Sequence, residues 1–577
     1  MNAKKVTNIL ALLVVIGFAV YFFIPTGSDQ TSDDADEADD GSGWGDNEVS
    51  EDDQSENYFQ EEVSGGGVSS SNEEAVEVGM DILENGGNAV DAAVAISFTL
   101  NVTEPYGSGV GGGGAMVYMP SPEETPVVYD YRETASSTNP RDVVGVPGFV
   151  KGMQTFHEKE GGNLEVDELL DPAIQYAEEG IPVSNSLFNR INNAREAGRL
   201  SPEQSPHFFP DGQTAPEGST IVQQDLANVL KTLKENGLND FYEGEIAQKI
   251  IATYPHISQE DLSNYSIKVS EAASGQFEDN TVYSAPPPLS GVTLIQMLGM
   301  AEKLNAEKFI NDEAQYMNLF SEITRQAYND RLGTYGDPDF FNNKNNLTSD
   351  EKITELAKKA NTRDDLNVDT EVTAMDDPDR NHTNTTHFVV MDDEGRTVST
   401  TNTLGNFFGS GQMVDGMWMN SQLLNFSENL DSPNSIEQGK RPRSFISPTI
   451  IKNDNSGQVM GIGTPGGTRI PSIISQFILR QQYLDESFAE SMEATRFAPY
   501  YSSMEEQIYL DIEDFDQELT NNDPLVTTLT ESGYQVRPQP ITTYFGSISA
   551  LAKDYKNQEI IEITDTRRNG IADSTNE

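Results

Sequence analysis

The sequence predicts an α+β chain of multilayer size, and three observations lead there. Its 577 residues exceed what one ordinary core holds, so the chain forms two or more domains or one large multilayer unit. In the first half, apolar residues recur at helical intervals, as at Ala75, Val78, Ile82 and Leu83. Beyond residue 385, short alternating strands predominate, with helices expected near Ile470 to Tyr483 and Glu486 to Arg496. No internal repeat is found.

In chain order, Met1 to Lys5 carries two lysines, and the apolar run Ile9 to Ile24 closes at Pro25. No small-x-small cleavage site follows its bulky end, so residues 1–26 read as an uncleaved signal anchor in preference to a cleaved signal peptide. The lysines stay inside and the rest is exported, which expects a membrane-anchored protein on the extracellular face, or a secreted one if the segment is cut. Residues 27–70 are Asp, Glu, Ser and Gly with few apolar residues, and are expected to be a disordered acidic linker. Folding then starts at 71, where Ser71 and Glu74 have capping-box spacing. Glu84 to Asn88 interrupts that helix, and the alanine-rich Ala89 to Val102 resumes it. Ala115 to Met119 and Pro126 to Tyr131 read as strands.

Composition removes several function classes. The net charge of −58 argues against nucleic acid as a partner, since phosphates call for a basic footprint. Such a charge repels itself unless salt screens it, which points to a high-salt habitat. There is no cysteine, so disulfides, thiolate metal sites and cysteine nucleophiles are excluded. The five histidines form no paired metal-ligand motif, so no metal is expected.

The chemistry concentrates in one hairpin. Thr385 to Asp392 reads as a strand, Asp393-Glu394-Gly395 as a tight turn, and Arg396 to Thr403 as the returning strand. Antiparallel partners share a constant residue sum; with the turn centred on Glu394, Thr385 and Thr403 fall opposite one another on one face. A threonine hydroxyl needs a base beside it. An N-terminal threonine supplies one, because its own α-amine, which ordinarily titrates near ~8, can accept the hydroxyl proton. That amine exists only if Asn384–Thr385 is cut; otherwise Thr385-Thr386 is merely a β-branched strand start. No G-x-S-x-G elbow offers a serine alternative.

Gly463-Thr464-Pro465-Gly466-Gly467-Thr468 follows a strand and precedes the helix from Ile470. Adjacent glycines there can present backbone N–H groups to an oxyanion. A phosphate loop lacks its Gly-Lys-Ser/Thr, and an ordinary turn is the remaining alternative.

Taken together, these residues resemble the γ-glutamyltransferase family of N-terminal-nucleophile hydrolases. The match runs from about 72 to 568, through Gly86-Gly87-Asn88, Gly111 to Gly114, Asp130-Tyr131-Arg132-Glu133, Gly145-Val146-Pro147-Gly148, Pro286-Pro287-Pro288, Tyr335-Gly336-Asp337, Thr385-Thr386-His387, Lys440-Arg441-Pro442 and Pro465-Gly466-Gly467. The resemblance implies a four-layer αββα sandwich formed jointly by two autoproteolytic fragments: a large subunit, 71–384, ending at Asn384, and a small catalytic one, 385–577. The fragments stay associated, and no cofactor is expected. Thr385 is then the nucleophile, Thr403 its orienting partner, and Gly466 and Gly467 the oxyanion hole. Arg132 clamps the donor α-carboxylate, while Gln422 and Ser444 line the donor pocket. The implied substrates are small γ-glutamyl compounds or poly-γ-glutamate, with the acyl group passed to water or to an amino acid or peptide amine. A non-enzymatic surface protein is the remaining alternative.

The chain departs from the family pattern at three positions. Asn425 stands where many members have the aspartate that holds the donor α-ammonium, Gly405 where there is often a pocket asparagine, and Phe445 where there is a second serine. These changes point to glutaryl amides or internal units of poly-γ-glutamate as alternative substrates. The 13-residue segment Ser427 to Gly439 contains no tyrosine and is too short for the lid of some relatives, so an open groove is expected.

Overall fold

The threonine hairpin lies in the middle of a larger sheet. The computed structural model describes residues 58–60, 64–344, 346–361, 385–484, 486–502, 507–568 and 570–575. The expected anchor at 1–26, most of the linker, and Asn384 lie outside them. In chain order the framework is β1 (Gly67–Ser70), α1 (Glu73–Glu84), α2 (Ala89–Thr103), β2 (Gly113–Met119), β3 (Val127–Asp130), β4 (Lys268–Glu271), β5 (Ala273–Phe277), β6 (Asn280–Ser284), α3 (Gly291–Lys303), α4 (Glu313–Thr334), β7 (Thr385–Met391), β8 (Thr397–Thr403), β9 (Thr449–Asn453), β10 (Gln458–Gly463), α5 (Ile470–Tyr483), β11 (Ser549–Asp554), β12 (Glu559–Ile563) and β13 (Ile571–Ser574).

A seven-stranded sheet runs β13-β1-β7-β8-β2-β3-β4, and a six-stranded sheet runs β12-β11-β10-β9-β6-β5, antiparallel throughout. The two pack face to face, with β7 and β8 against β10 and β11. α1 and α2 cover the outer side of the first sheet, and α3 and α5 that of the second. Alternation sorts the side chains accordingly. Val389, Met391, Ala115 and Val117 join the core between the sheets, whereas Phe388, Val390 and Met116 pack with the helices. Every residue of α2 is buried, as small alanines allow when a helix is enclosed on all sides.

Two expectations near the start are corrected. The linker does not reach residue 70: Gly67–Ser70 is a buried strand between β7 and β13. Its glycines are required by packing, since a Cβ on Gly66 would lie 2.8 Å from the Met391 carbonyl oxygen. The first helix is capped by Asn72, whose side chain accepts from the Ala75 N–H, while Ser71 Oγ donates to Glu104 instead. The second helix has its own capping box, Asn88 with Asp91. Ile470–Tyr483 forms as expected; the helix expected at 486–496 is confined to Phe488–Glu493, its own capping box starting at Ser487.

Candidate active site

Sheet register alone assembles the centre of the site. Thr385, the first residue of β7, pairs with Thr403 on β8, and Thr403 pairs with Gly113 on β2. Two residues beyond the last β2–β3 pair, Ala115 with Asp130, Gly113 comes beside Arg132, which follows the end of β3. A Cβ on Gly113 would lie 2.9 Å from Arg132 Cα. Directly opposed residues share a face, so Thr385, Thr403 and Gly113 form one row across three strands, and Arg132, just past the end of β3, stands beside its glycine end. The glycine leaves a trough between the threonines and the arginine. The row points to the same side as Val389 and Ala115, at the end of the space between the sheets.

Both threonines are buried. Thr403 Oγ1 accepts from the Gly405 N–H at 3.0 Å, and the Thr385 carbonyl accepts from Arg568 Nη1 at 3.5 Å. Two residues along β7, His387 shares a 2.8 Å hydrogen bond with Thr401 Oγ1. Burial pushes its imidazole down to about 3, so it is a neutral wedge. A Cβ on Gly463 would overlap that ring, so β10 ends hard against β7. The following loop turns through Gly466 (φ 156°) and Gly467 (φ 58°) into α5. Among the described residues, neither glycine N–H donates a hydrogen bond. A helix entrance with spare N–H donors suits a developing negative charge.

At the other end of the row, polar groups are buried without partners. Arg132 is fully buried; its Nε comes to 3.4 Å from Asp130, and none of its three nitrogens makes a hydrogen bond. Glu133 is fully buried with both oxygens unbonded, and burial pushes its carboxyl up to about 8 against the opposing pull of Arg132. Gln422 is buried with amide nitrogen and oxygen both unbonded. It is tied to the same corner by Asn420, which donates to the carbonyls of Gly111 and Gly145, both at 2.9 Å. Since most buried polar groups in proteins are paired, so many orphans together mark a ligand pocket.

Ser444 belongs to this side: its carbonyl accepts from Arg331 Nη2 at 2.8 Å, and its Oγ accepts from the Ile446 N–H at 3.4 Å. Asn425 is exposed, and its carbonyl accepts from Asn434 Nδ2 at 2.7 Å. The same Asn434 side chain accepts from the Arg443 N–H at 2.8 Å, which pins the short Ser427–Gly439 segment down. Gly405 has φ 89°, and a Cβ there would lie 2.6 Å from Ser421 Oγ, so an asparagine is sterically excluded. Phe445 packs on Tyr328 and under the Arg331 guanidinium, which is 4.0 Å from its ring.

Sequence reasoning assigns no role to Glu133, Asn420 or Arg568, although Glu133 stands in the Asp-Tyr-Arg-Glu motif. Among the described residues, no group of three or more His, Cys, Asp or Glu side chains gathers as a metal site.

The chain is similar to known proteins over most of its length. The family model described as gamma-glutamyltranspeptidase matches residues 75–575. The capsule biosynthesis protein CapD proenzyme of Bacillus anthracis is 39% identical over 507 residues, covering 87% of this chain and 90% of the relative. The glutathione hydrolase proenzyme of Bacillus subtilis (strain 168) is 30% identical over 558 residues, covering 89% and 92%. Cephalosporin acylase from Bacillus halodurans has the same fold at a TM-score of 0.73 and 22% identity, over 89% of this chain and 96% of that one.

Proposed function

The chain belongs to the gamma-glutamyltranspeptidase family and is an enzyme; from that premise we propose that it is made as one precursor, cuts itself between Asn384 and Thr385, and then transfers γ-glutamyl groups through an ester on Thr385. The precursor is a four-layer αββα sandwich, and 71–384 and 385–577 remain associated because each fragment supplies strands to both sheets. Residues 1–26 act as an anchor that leaves the enzyme on the outer face of the membrane, and the net charge of −58 suits concentrated salt.

The observation that carries this reading is the row itself, with a nucleophile candidate at one end and, beside the other, a buried guanidinium that makes no hydrogen bond and has Asp130, 3.4 Å from its Nε, as its charge partner. A buried charged group short of hydrogen bonds is costly, so a ligand carboxylate is a natural further partner. Arg132 takes the donor α-carboxylate as a bidentate fork, and Gln422 and Ser444 supply further polar contacts. The γ-amide carbon then lies over the glycine trough beside Thr385.

The freed Thr385 amine takes the hydroxyl proton as Oγ attacks, and Thr403 holds the hydroxyl in line. The N–H groups of Gly466 and Gly467 receive the oxyanion; one such donor is worth roughly 10²–10³ in rate. The amine returns the proton to the departing nitrogen, and water or an acceptor amine then attacks the ester.

The pinned Ser427–Gly439 segment supports a second substrate class, internal units of poly-γ-glutamate, because a low rim leaves the donor end open. Glutaryl amides remain the further alternative that Asn425 suggests. N-terminal sequencing of the smaller fragment of purified active enzyme should begin at Thr385. An active, unbroken polypeptide would refute the reading.

A further inference from the structure

On the helical side of the second sheet, α4 and α5 border a cleft of about 610 Å³ that none of the row residues lines. Its floor is apolar: Ile310, Met317, Ile473, Phe477 and Phe497 are all buried there. Tyr316 stands among them, its ring meeting Phe497 edge-on at 5.6 Å, and among the described residues its buried hydroxyl has no hydrogen-bond partner. Both arginines of the cleft are already committed. Arg480 forks onto Glu486, with Nε donating at 2.9 Å, and Arg496 pairs with Asp565 at 2.5 Å. Glu313 and Glu493 stand exposed at the rim and give it an excess of carboxylate.

An apolar floor with a few polar groups, in a cleft of this size, is the make-up of a small-molecule site. Charge selects the occupant. A chain of net charge −58 repels anions, and the cations that line the cleft have their own acids. A positive head is drawn instead by the rim carboxylates and by ring faces, while the floor takes a hydrocarbon or aromatic body. We propose that this cleft is a second ligand site, for an organic ammonium on an apolar body, and that its occupancy is felt at the glycine loop before α5. The helices that border the cleft lead there. α5 starts directly after the Gly466-Gly467 turn, and α4 carries Tyr328, whose hydroxyl donates to the Thr468 carbonyl, and Arg331, which holds the Ser444 carbonyl at 2.8 Å. A ligand bridging the first turn of α4 and the middle of α5 fixes the two helices against each other, and so steadies the loop whose N–H groups face the reaction.

Binding at the cleft is independent of the proposed acyl transfer at Thr385; its kinetic consequence rests on that reading, and the experiment separates the two. Benzyltrimethylammonium is the probe, since it has no N–H and cannot accept an acyl group. Equilibrium dialysis of the whole processed enzyme at fixed ionic strength should find one saturable site. Tetramethylammonium, which lacks the apolar body, and benzenesulfonate, which carries the opposite charge, should bind roughly tenfold more weakly or worse. Equal binding of tetramethylammonium would mean a diffuse counterion atmosphere and overturn the site. Glu313→Gln combined with Glu493→Gln should weaken the probe roughly five- to tenfold and leave turnover without it unchanged. With γ-glutamyl-p-nitroanilide as donor, the probe should raise kcat roughly fivefold at unchanged KM, and the double variant should need correspondingly more of it. Competition with the donor, or binding undiminished in the double variant, would put the probe elsewhere and defeat the proposal; binding that leaves kcat unmoved would defeat the coupling. Absence of turnover with and without the probe would refute the acyl-transfer reading, and dialysis would still decide the cleft.

Discussion

Two buried charge clusters in this molecule are built to opposite rules. Near the chain's end, Arg496 bonds Asp565 at 2.5 Å, and Arg567 forks onto Glu513 at 2.7 Å through two nitrogens while also bonding the Met492 carbonyl at 2.6 Å. Asp565 accepts in addition from the Ile548 N–H at 2.8 Å. Burial there is offset by saturated bonding. At the sheet row, Arg132 and Glu133 are just as deep, yet their side chains make no hydrogen bond, and Arg132 has the looser 3.4 Å ion pair with Asp130. The same chain thus pairs charges completely where they hold the fold, and leaves them open where a substrate can complete them. The clusters also communicate: Arg567 anchors the segment from which its neighbour Arg568 reaches the Thr385 carbonyl.

The contrast can be broken by mutation. The largest effect is expected from Thr385→Ala, which should abolish maturation and lower turnover by more than about 10⁴-fold, as removal of a nucleophile does; a variant that still splits on a denaturing gel would remove Thr385 from the mechanism. Arg567→Met should cost about 3–5 kcal/mol, because it strands Glu513 as a buried acid without its charge partner, and denaturant melts should show an earlier midpoint. Arg132→Met should do the reverse, lowering kcat/KM roughly 100-fold or more while leaving the midpoint nearly unchanged, since the guanidinium it removes makes no hydrogen bond and Asp130 keeps Arg441 nearby. Equal loss of stability in the two variants would erase the distinction between the clusters. Thr403→Ala should slow both maturation and turnover by about tenfold, the worth of one well-placed hydrogen bond. Unchanged rates would mean that facing Thr385 across the hairpin has no chemical consequence.

Local signals are reliable where the physics is local. The pairing of Thr385 with Thr403 follows from a symmetric turn at Glu394, and α5 follows from its periodicity after a glycine pair. Signals fail where distant contacts override composition. Gly67–Ser70 looks like the end of a flexible tether, but strands from two remote parts of the chain close on it, and its glycines admit their backbones. Ser71 has capping-box spacing yet is drawn to Glu104, leaving Asn72 to cap.

The sequence by itself determined the α+β class, the register of the catalytic hairpin, the glycine loop at the entrance to α5, and the family with its candidate nucleophile. These depend on turn symmetry, periodicity and ordered motifs, all of which act over short stretches of chain. Only the tertiary structure decided that Arg132 stands beside the row that holds Thr385, that Glu133 folds back over Gly113, and that neither side chain makes a hydrogen bond. Whether a buried charge has a partner depends on what the rest of the chain brings to it, and strands more than 250 residues apart meet at this site.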